Sequence, residues 1–306
     1  MQCRWFILYS RCRDSVQEGG LRNNVRADSI HIAGLGEQSG RVLFSQWDEF
    51  CRLRMVVLGH LDTDSIHDLR VASRRMRATL ALFLPFVPGT ALNNSLKEIR
   101  RVTRALGHVR NIDEAVLYFA ALPAPLPALA EVLRRARGKE IKAVMKVLKA
   151  LPCREMDRKL RKMVAELTGG SSPGSIDQRL PAYLSDISIQ RYQSLYDQLV
   201  PDLIPENVAQ RHGLRIAIKK WRYLLETLGQ VCGKDYGSTL DSLKEYQSVL
   251  GRLNDMVEFA ALCEGQALPT DETQKIEVAL ARDTALFLAD FMKVAASRPL
   301  HYTFLL

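Results

Sequence analysis

A chain of 306 residues, 47% of them hydrophobic, carries enough apolar mass for a sizeable core, which excludes global disorder. Its 43 Lys and Arg against 34 Asp and Glu leave a formal charge of +9, a balance that favours anionic partners such as nucleic acid, a membrane surface or a polyphosphate. The length exceeds one ordinary helical bundle and suggests one large domain or two smaller units.

In chain order, residues 1–44 are poorly periodic and rich in Gly, Asn and Ser, and are expected to form a loosely ordered extension. The apolar run "WFILYS" near their start is followed by Arg11 and Arg13. It is too short for the apolar region of a signal peptide or for a bilayer span, and no later stretch supplies about 18 uninterrupted apolar residues. The six cysteines, at 3, 12, 51, 153, 232 and 263, form no CxxC, and no histidine lies near them at zinc-ligand spacing. Reduced, packed thiols in a cytoplasmic protein are expected rather than a disulfide framework.

From about residue 45 apolar residues recur every three or four positions, and alternating β-branched segments are absent, so the chain is read as all-α. Breaks are expected at "PFVPGT", "LPAPLP", "TGGSSPGS", "VPDLIPEN", "CGKDYG" and "LPTDET". The expected organisation is a first four-helix bundle over 45–168, a Gly/Ser linker over 169–175, a second bundle over 176–298 and a tail over 299–306.

Two segments carry the chemistry. In "SIHDLRVASRRMRATLALF", from Ser65, the residues His67, Arg70, Arg74 and Arg77 fall within about 80° of one another on a helical wheel. Leu69, Ala72, Met76, Leu80 and Phe83 take the opposite side. Asp68 lies near the start of this helix, where it suits the dipole and is placed to complete a capping box with Ser65. At an offset of 145, "HGLRIAIKKWRYLLETL" repeats the pattern with His212, Arg215, Lys219 and Arg222. Further on, "LGHVRNIDE" from Leu106 matches "LGRLNDMVE" from Leu250 at an offset of 144, with Asn111 over Asp255. Two motifs in the same order at the same distance indicate two divergent copies of one helical unit. Neither stripe interleaves acids, so like charges repel at i,i+4, and a bound anion would relieve that repulsion. Arg at most positions suits bidentate phosphate contact. The two histidines begin their helices, where free backbone N–H groups and the positive dipole end favour an anion. No carboxylate or second histidine lies at i+3 or i+4 from either, which argues against a metal.

Other basic stripes are Lys97, Arg100, Arg101, Arg104 and His108 on one helix, and Arg135, Lys139, Lys142, Lys146 and Lys149 on a helix around 131–151. The second reads equally well as a solvated, lysine-rich face.

These segments together resemble the CHAD domain, the conserved histidine α-helical domain. The resemblance rests on "HDLRVASRRMR", "HGLRIAIKKWRYLLETL" and the two glycine-containing segments, and covers about residues 45–298. It implies two four-helix bundles related by a pseudo-twofold axis, with basic helices of both facing a central cationic groove that binds inorganic polyphosphate. Carried over by position, the ligand set is His67, Arg70, Arg74, Arg77, His212, Arg215, Lys219 and Arg222. Arg75, Lys97, Arg101, Arg104, Lys220 and Tyr223 are secondary anion-binding positions. Association with polyphosphate granules is implied by the resemblance alone. The family usually places Asp after the Arg of the first glycine segment, whereas here Arg110 is followed by Asn111.

The preferred reading is a binding module for polyphosphate or a similar polyanion, with no cofactor, metal or membrane. One alternative is a polyphosphate-acting phosphatase or phosphotransferase. Phosphoryl transfer needs Mg²⁺ held by carboxylates or an activated nucleophile, and the stripes hold neither. The other is a nonspecific nucleic-acid-binding protein, which would interleave stacking aromatics with its basic residues. Trp221 falls on the apolar face here, which leaves Tyr223 alone near the stripe.

Overall fold

Among the described residues, the first helix begins where the sequence looks least helical. In the computed structural model, α1 spans Leu35–Gly59, ten residues ahead of the start expected at 45. Gly36 and Gly40 read as loop residues in sequence but serve a close helix contact. A Cβ on Gly36 would lie 2.1 Å from the Leu167 carbonyl oxygen, and one on Gly40 would lie 2.7 Å from Val164 Cγ1. Both partners belong to α5 (Cys153–Thr168), so the glycines let the two backbones approach.

The other helices are α2 (Thr63–Phe83), α3 (Ala91–Ala120), α4 (Pro127–Lys149), α6 (Ile176–Gln198), α7 (Val208–Cys232), α8 (Gly237–Cys263) and α9 (Thr270–Ser297). The structure describes residues 34–86, 91–168, 176–199 and 207–303, and these described residues belong to one compact unit. The expected "TGGSSPGS" linker, most of the "PFVPGT" and "VPDLIPEN" turns, and residues 1–33 lie outside the described residues. The fold is all-α, and among the described residues no helix is long and apolar enough to cross a membrane.

Helix ends follow local chemistry, with one correction. The cap of α2 is Asp62, whose carboxylate accepts from Ser65 N at 2.8 Å and from Ser65 Oγ at 2.6 Å. Ser65 is thereby engaged upstream, and the expected Ser65–Asp68 box does not form. Asn207 caps α7 through Gln210 N at 3.1 Å, and Gly233 ends α7 in the left-handed region at φ 64.

Helices α1 to α4 pack each on the next, as do α6 to α9. Helix α5 sits on α1. The central apolar core runs through both sets without a break, from Trp47, Phe50, Met76 and Phe83 to Trp221, Tyr246 and Phe291. A second cluster joins Ile112, Phe119, Leu129 and Leu133 to Met256, Phe259 and Ile276. The expected tail is partly docked. Leu300 is buried, its carbonyl accepts from Tyr192 Oη, and the Tyr302 ring stacks on Trp221 with centroids 6.0 Å apart.

Two carboxylates tie helices α1 and α4 to helices more than a hundred residues later. Asp177, in the first turn of α6, accepts from Gly36 N at 2.7 Å and Gly34 N at 3.3 Å. Glu272, in the first turn of α9, accepts from Ala128 N and Leu129 N, each at 3.0 Å. Helix α4 has Pro127 in its first turn and no side-chain cap of its own, so the buried Glu272 completes it.

Replacing Gly36 by Ala is expected to destabilise the fold by about 1–3 kcal/mol, because overpacking against a backbone carbonyl outweighs the helix propensity gained. Gly138 stands in the interior of α4 with nothing within 4 Å of its added Cβ. Gly138→Ala is expected to stabilise by up to about 1 kcal/mol. Thermal denaturation of the two variants side by side measures both.

Candidate functional site

Helices α2 and α7 meet in the core, where the Thr79 and Thr227 hydroxyls lie 3.2 Å apart. Toward their N-termini the apolar faces turn inward, with Leu69 and Met76 on α2 and Leu214 and Trp221 on α7 fully or almost fully buried. The opposite faces bring cations together. Arg70 lies within the electrostatic reach of Arg74, Arg215 and Arg110. Lys219 is likewise acted on by Arg215, Arg74 and Arg70. Arg77 closes the row beside Arg74 and Arg100.

Helix α3 runs antiparallel to α2, so each turn along one meets a turn back along the other. Arg77 faces Arg100, Gly107 places its Cβ position 3.9 Å from Arg70 Nε, and His67 comes under Arg110. The pair α7 and α8 repeats this register, with His212 Nδ1 3.4 Å from Asn254 Oδ1. Asn254 stands 144 residues after Arg110, as His212 stands 145 after His67.

Burial dominates the electrostatics of this cluster. Desolvation and then the neighbouring arginines push the Lys219 ammonium down to about 6. The same causes push Arg70, Arg77 and Arg215 below the ordinary guanidinium range, although guanidinium stays charged at neutral pH. His67 is lowered by burial and then by Arg110, which favours its neutral form. The Nε atoms of Arg70, Arg215 and Arg222 are buried and have no hydrogen-bond partner among the described residues. Buried charged donors normally find an acceptor, so these three are free for a ligand's oxygens.

The structure thus brings together His67, Arg70, Arg74, Arg77, Arg215 and Lys219. His212 stands exposed at one edge. Arg222 lies one turn past Lys219, its Cζ 4.9 Å from the centroid of the Tyr223 ring and its Nη1 3.2 Å from Glu226 Oε1. Arg75 reaches the same carboxylate at 3.6 Å. Tyr223 is buried rather than offered for stacking. Lys97, Arg101, Arg104 and Lys220 are exposed, and Arg101 pairs with Glu98 at 2.7 Å. On α3 the charges felt by the cluster are Arg100 and Arg110.

Sequence reading missed the acids, because they arrive from other helices. Asp255 on α8 acts on Arg215, Lys219, Arg110 and Arg70, and burial holds its carboxyl above the usual range. The aligned Asn111 is neutral and donates to Glu258 Oε2 at 3.1 Å. Arg110 pairs with Glu114 on its own helix, in place of the Arg–Asp pair that the family pattern implies. The signal lay in "LGRLND": the register that sets Gly107 against Arg70 carries Asp255 toward Arg215 and Lys219.

Among the described residues no group of three or more His, Cys, Asp or Glu side chains is placed to hold a metal ion. Two open surface grooves of about 960 and 690 Å³ lie along α1, the second also lined by Asp68, Val71 and Arg75 of α2. The first mixes Arg41 and Arg52 with Glu37, Asp48 and Glu49, and the second mixes Arg41 and Arg75 with Glu49 and Asp68, which suits no simple anion.

An all-α fold with cationic helices meeting at one seam defines the class of protein, and comparison with known proteins names it. The CHAD domain family model matches residues 41–264, nearly three quarters of the chain, and the chain belongs to that family. The fold is similar to the CHAD domain from the plant Ricinus communis, with a TM-score of 0.66 and 22% identity over 88% of this chain and 93% of that one. It is also similar to PptA from Streptomyces chartreusis, with a TM-score of 0.62 and 17% identity over 86% of this chain and 99% of that one. No curated protein matches the chain.

Lys219 generates a test. Its ordinary value is 10.5 and its folded value about 6, so between these pH values the unfolded chain holds more of this proton and folding stability rises with pH. The groups that act on it are Arg70 and Arg74 from α2, Arg215 from its own helix and Asp255 from α8. Lys219→Met is expected to stabilise the unliganded protein at pH 7 by about 1–4 kcal/mol. It should also flatten the rise of Tm between pH 6 and 10, measured by thermal denaturation across that range.

Proposed function

We propose that the protein is a polyphosphate-binding module whose ligand lies along the seam of α2 and α7. The observation that carries this reading is the cluster of buried, mutually repelling cations in which the Nε donors of Arg70, Arg215 and Arg222 lack acceptors among the described residues. A chain of phosphates supplies closely spaced negative charges and bridging acceptors, which relieves the repulsion and the unmet donors together. Membership of the CHAD domain family supports the same ligand class.

The proposed ligand set is His67, Arg70, Arg74, Arg77, His212, Arg215, Lys219 and Arg222, with Arg100 and Arg110 added from α3. Arg75, Lys97, Arg101, Arg104, Lys220 and Tyr223 form an outer set that guides or flanks the polyanion. Two repeats of one helical unit, reaching to residue 168 and then from 176 to 298, each contribute half of the seam. A cytoplasmic location with association to polyphosphate granules fits this reading.

Double reversal, Arg70→Glu with Arg215→Glu, is expected to weaken polyphosphate binding by at least about 100-fold, since hydrogen bonds to charged groups contribute about 1.5–3 kcal/mol each. Circular dichroism should remain helical. Reversal of the exposed Lys97 and Arg104 is expected to have a much smaller effect. Affinity should fall steeply with salt, by about 10³ or more between 50 and 200 mM if six or more phosphates are neutralised. Titration of labelled polyphosphate, with an oligonucleotide as competitor, reads all of these. Undiminished binding by the double variant overturns the site, and preference for the oligonucleotide overturns the ligand.

A further inference from the structure

Helices α1 and α5 run antiparallel, and three contacts fix their register. Gly36 meets Leu167, Gly40 meets Val164, and Trp47 Nε1 donates to Asp157 Oδ1 at 3.2 Å. One turn further along α1 is Cys51, and the matching step back along α5 is Cys153, the first residue of that helix. The glycines that draw the helices together therefore also set two thiols face to face. The two thiols act on each other electrostatically, and both residues are half-buried, within reach of a small reagent.

We propose that Cys51 and Cys153 form a reversible disulfide that clips α5 onto α1, with Cys153 as the attacking thiol and Cys51 as the resolving one. The surroundings divide the two roles. The facing Cys51 thiol and then the Arg54 guanidinium draw Cys153 down to about 6. Arg54 is held in place by donating Nε to the Leu148 carbonyl at 2.9 Å. Cys51 is pushed up by the facing Cys153 and then by its partial burial. Cys232 and Cys263 are raised by burial and stay protonated.

The oxidant is a low-molecular-weight disulfide such as glutathione disulfide. The Cys153 thiolate attacks one of its sulfurs, the S–S bond breaks, and one reduced thiol leaves with a proton from solvent. Cys51 then loses its proton and attacks Cys153 Sγ, which expels the second reduced thiol. Two protein thiols are oxidised and one small disulfide is reduced to two thiols, so atoms and electrons balance. The clip encloses α2, α3 and α4 in one covalent loop.

The test exposes the full chain to glutathione disulfide under native conditions, blocks remaining thiols, and maps peptides by mass. The expected product is a Cys51–Cys153 peptide pair and an intact mass lower by two hydrogens. The oxidised protein should also melt at a higher temperature, with reversal by reductant. In Cys51→Ser the expected product is glutathione retained on Cys153, whereas in Cys153→Ser the Cys51 thiol stays free over the same period. Recovery of both thiols unlinked in the wild-type protein overturns the proposal without the need for any variant. A link between other cysteines, or modification of Cys232 or Cys263 as fast as Cys153, overturns it as well.

Discussion

Cations on two helices are pressed toward one seam, and the rest of the fold exists under the obligation to hold them there. Arg70, Arg74, Arg215 and Lys219 act on one another through a partly desolvated space, where water screens little. Left to themselves α2 and α7 would separate. They are kept together by the Thr79–Thr227 contact, by a core that passes unbroken from one set of helices to the other, and by the clamps of Asp177 and Glu272. The apolar burial is the larger contribution by far, at roughly 25 cal/mol per Å² of area removed from water. The hydrogen bonds fix which way the helices lie.

Asp255 gives the seam a polarity that its repeat would otherwise lack. The aligned position on α3 is Asn111, so only the second half places this carboxylate among the cations. Burial raises it and the four cations around it lower it, which leaves a group poised to follow whatever anion arrives. At the far end of the row Glu226 receives Arg222 and Arg75. The cationic surface is therefore bounded by acids drawn from α7 and α8, and its extent is set by tertiary structure rather than by either stripe alone.

Much of this was legible in the amino-acid order. Helical periodicity gave the fold class, because a 3.6-residue pattern survives in nearly every segment. The two basic stripes were legible because burial of Leu69, Met76, Leu214 and Trp221 forces His67, Arg70, Arg74 and Lys219 onto the other side. What failed had a common physical origin: properties that depend on a second helix. Gly36 and Gly40 looked like turn residues until α5 was seen against them. Arg100 and Arg101 are adjacent on α3 and both exposed, yet Arg100 acts on Arg77 while Arg101 turns to Glu98. Arg110 and Asp255 were in plain view in the sequence, but their place beside the cations comes from helices packed against α2 and α7, whereas Glu226 sits four residues after Arg222 on α7 itself.

The carboxylate of Glu272 closes the start of α4, and that of Asp177 closes the start of α1, across 144 and 141 residues of intervening sequence. During synthesis from the N-terminus, both helices emerge with open ends long before their caps are made. The starts of α1 and α4 thus leave the ribosome uncapped, and helices translated more than a hundred residues later complete them. A fold with such late, long-range closures has its slow step in bringing the chain's distant parts together rather than in forming helices.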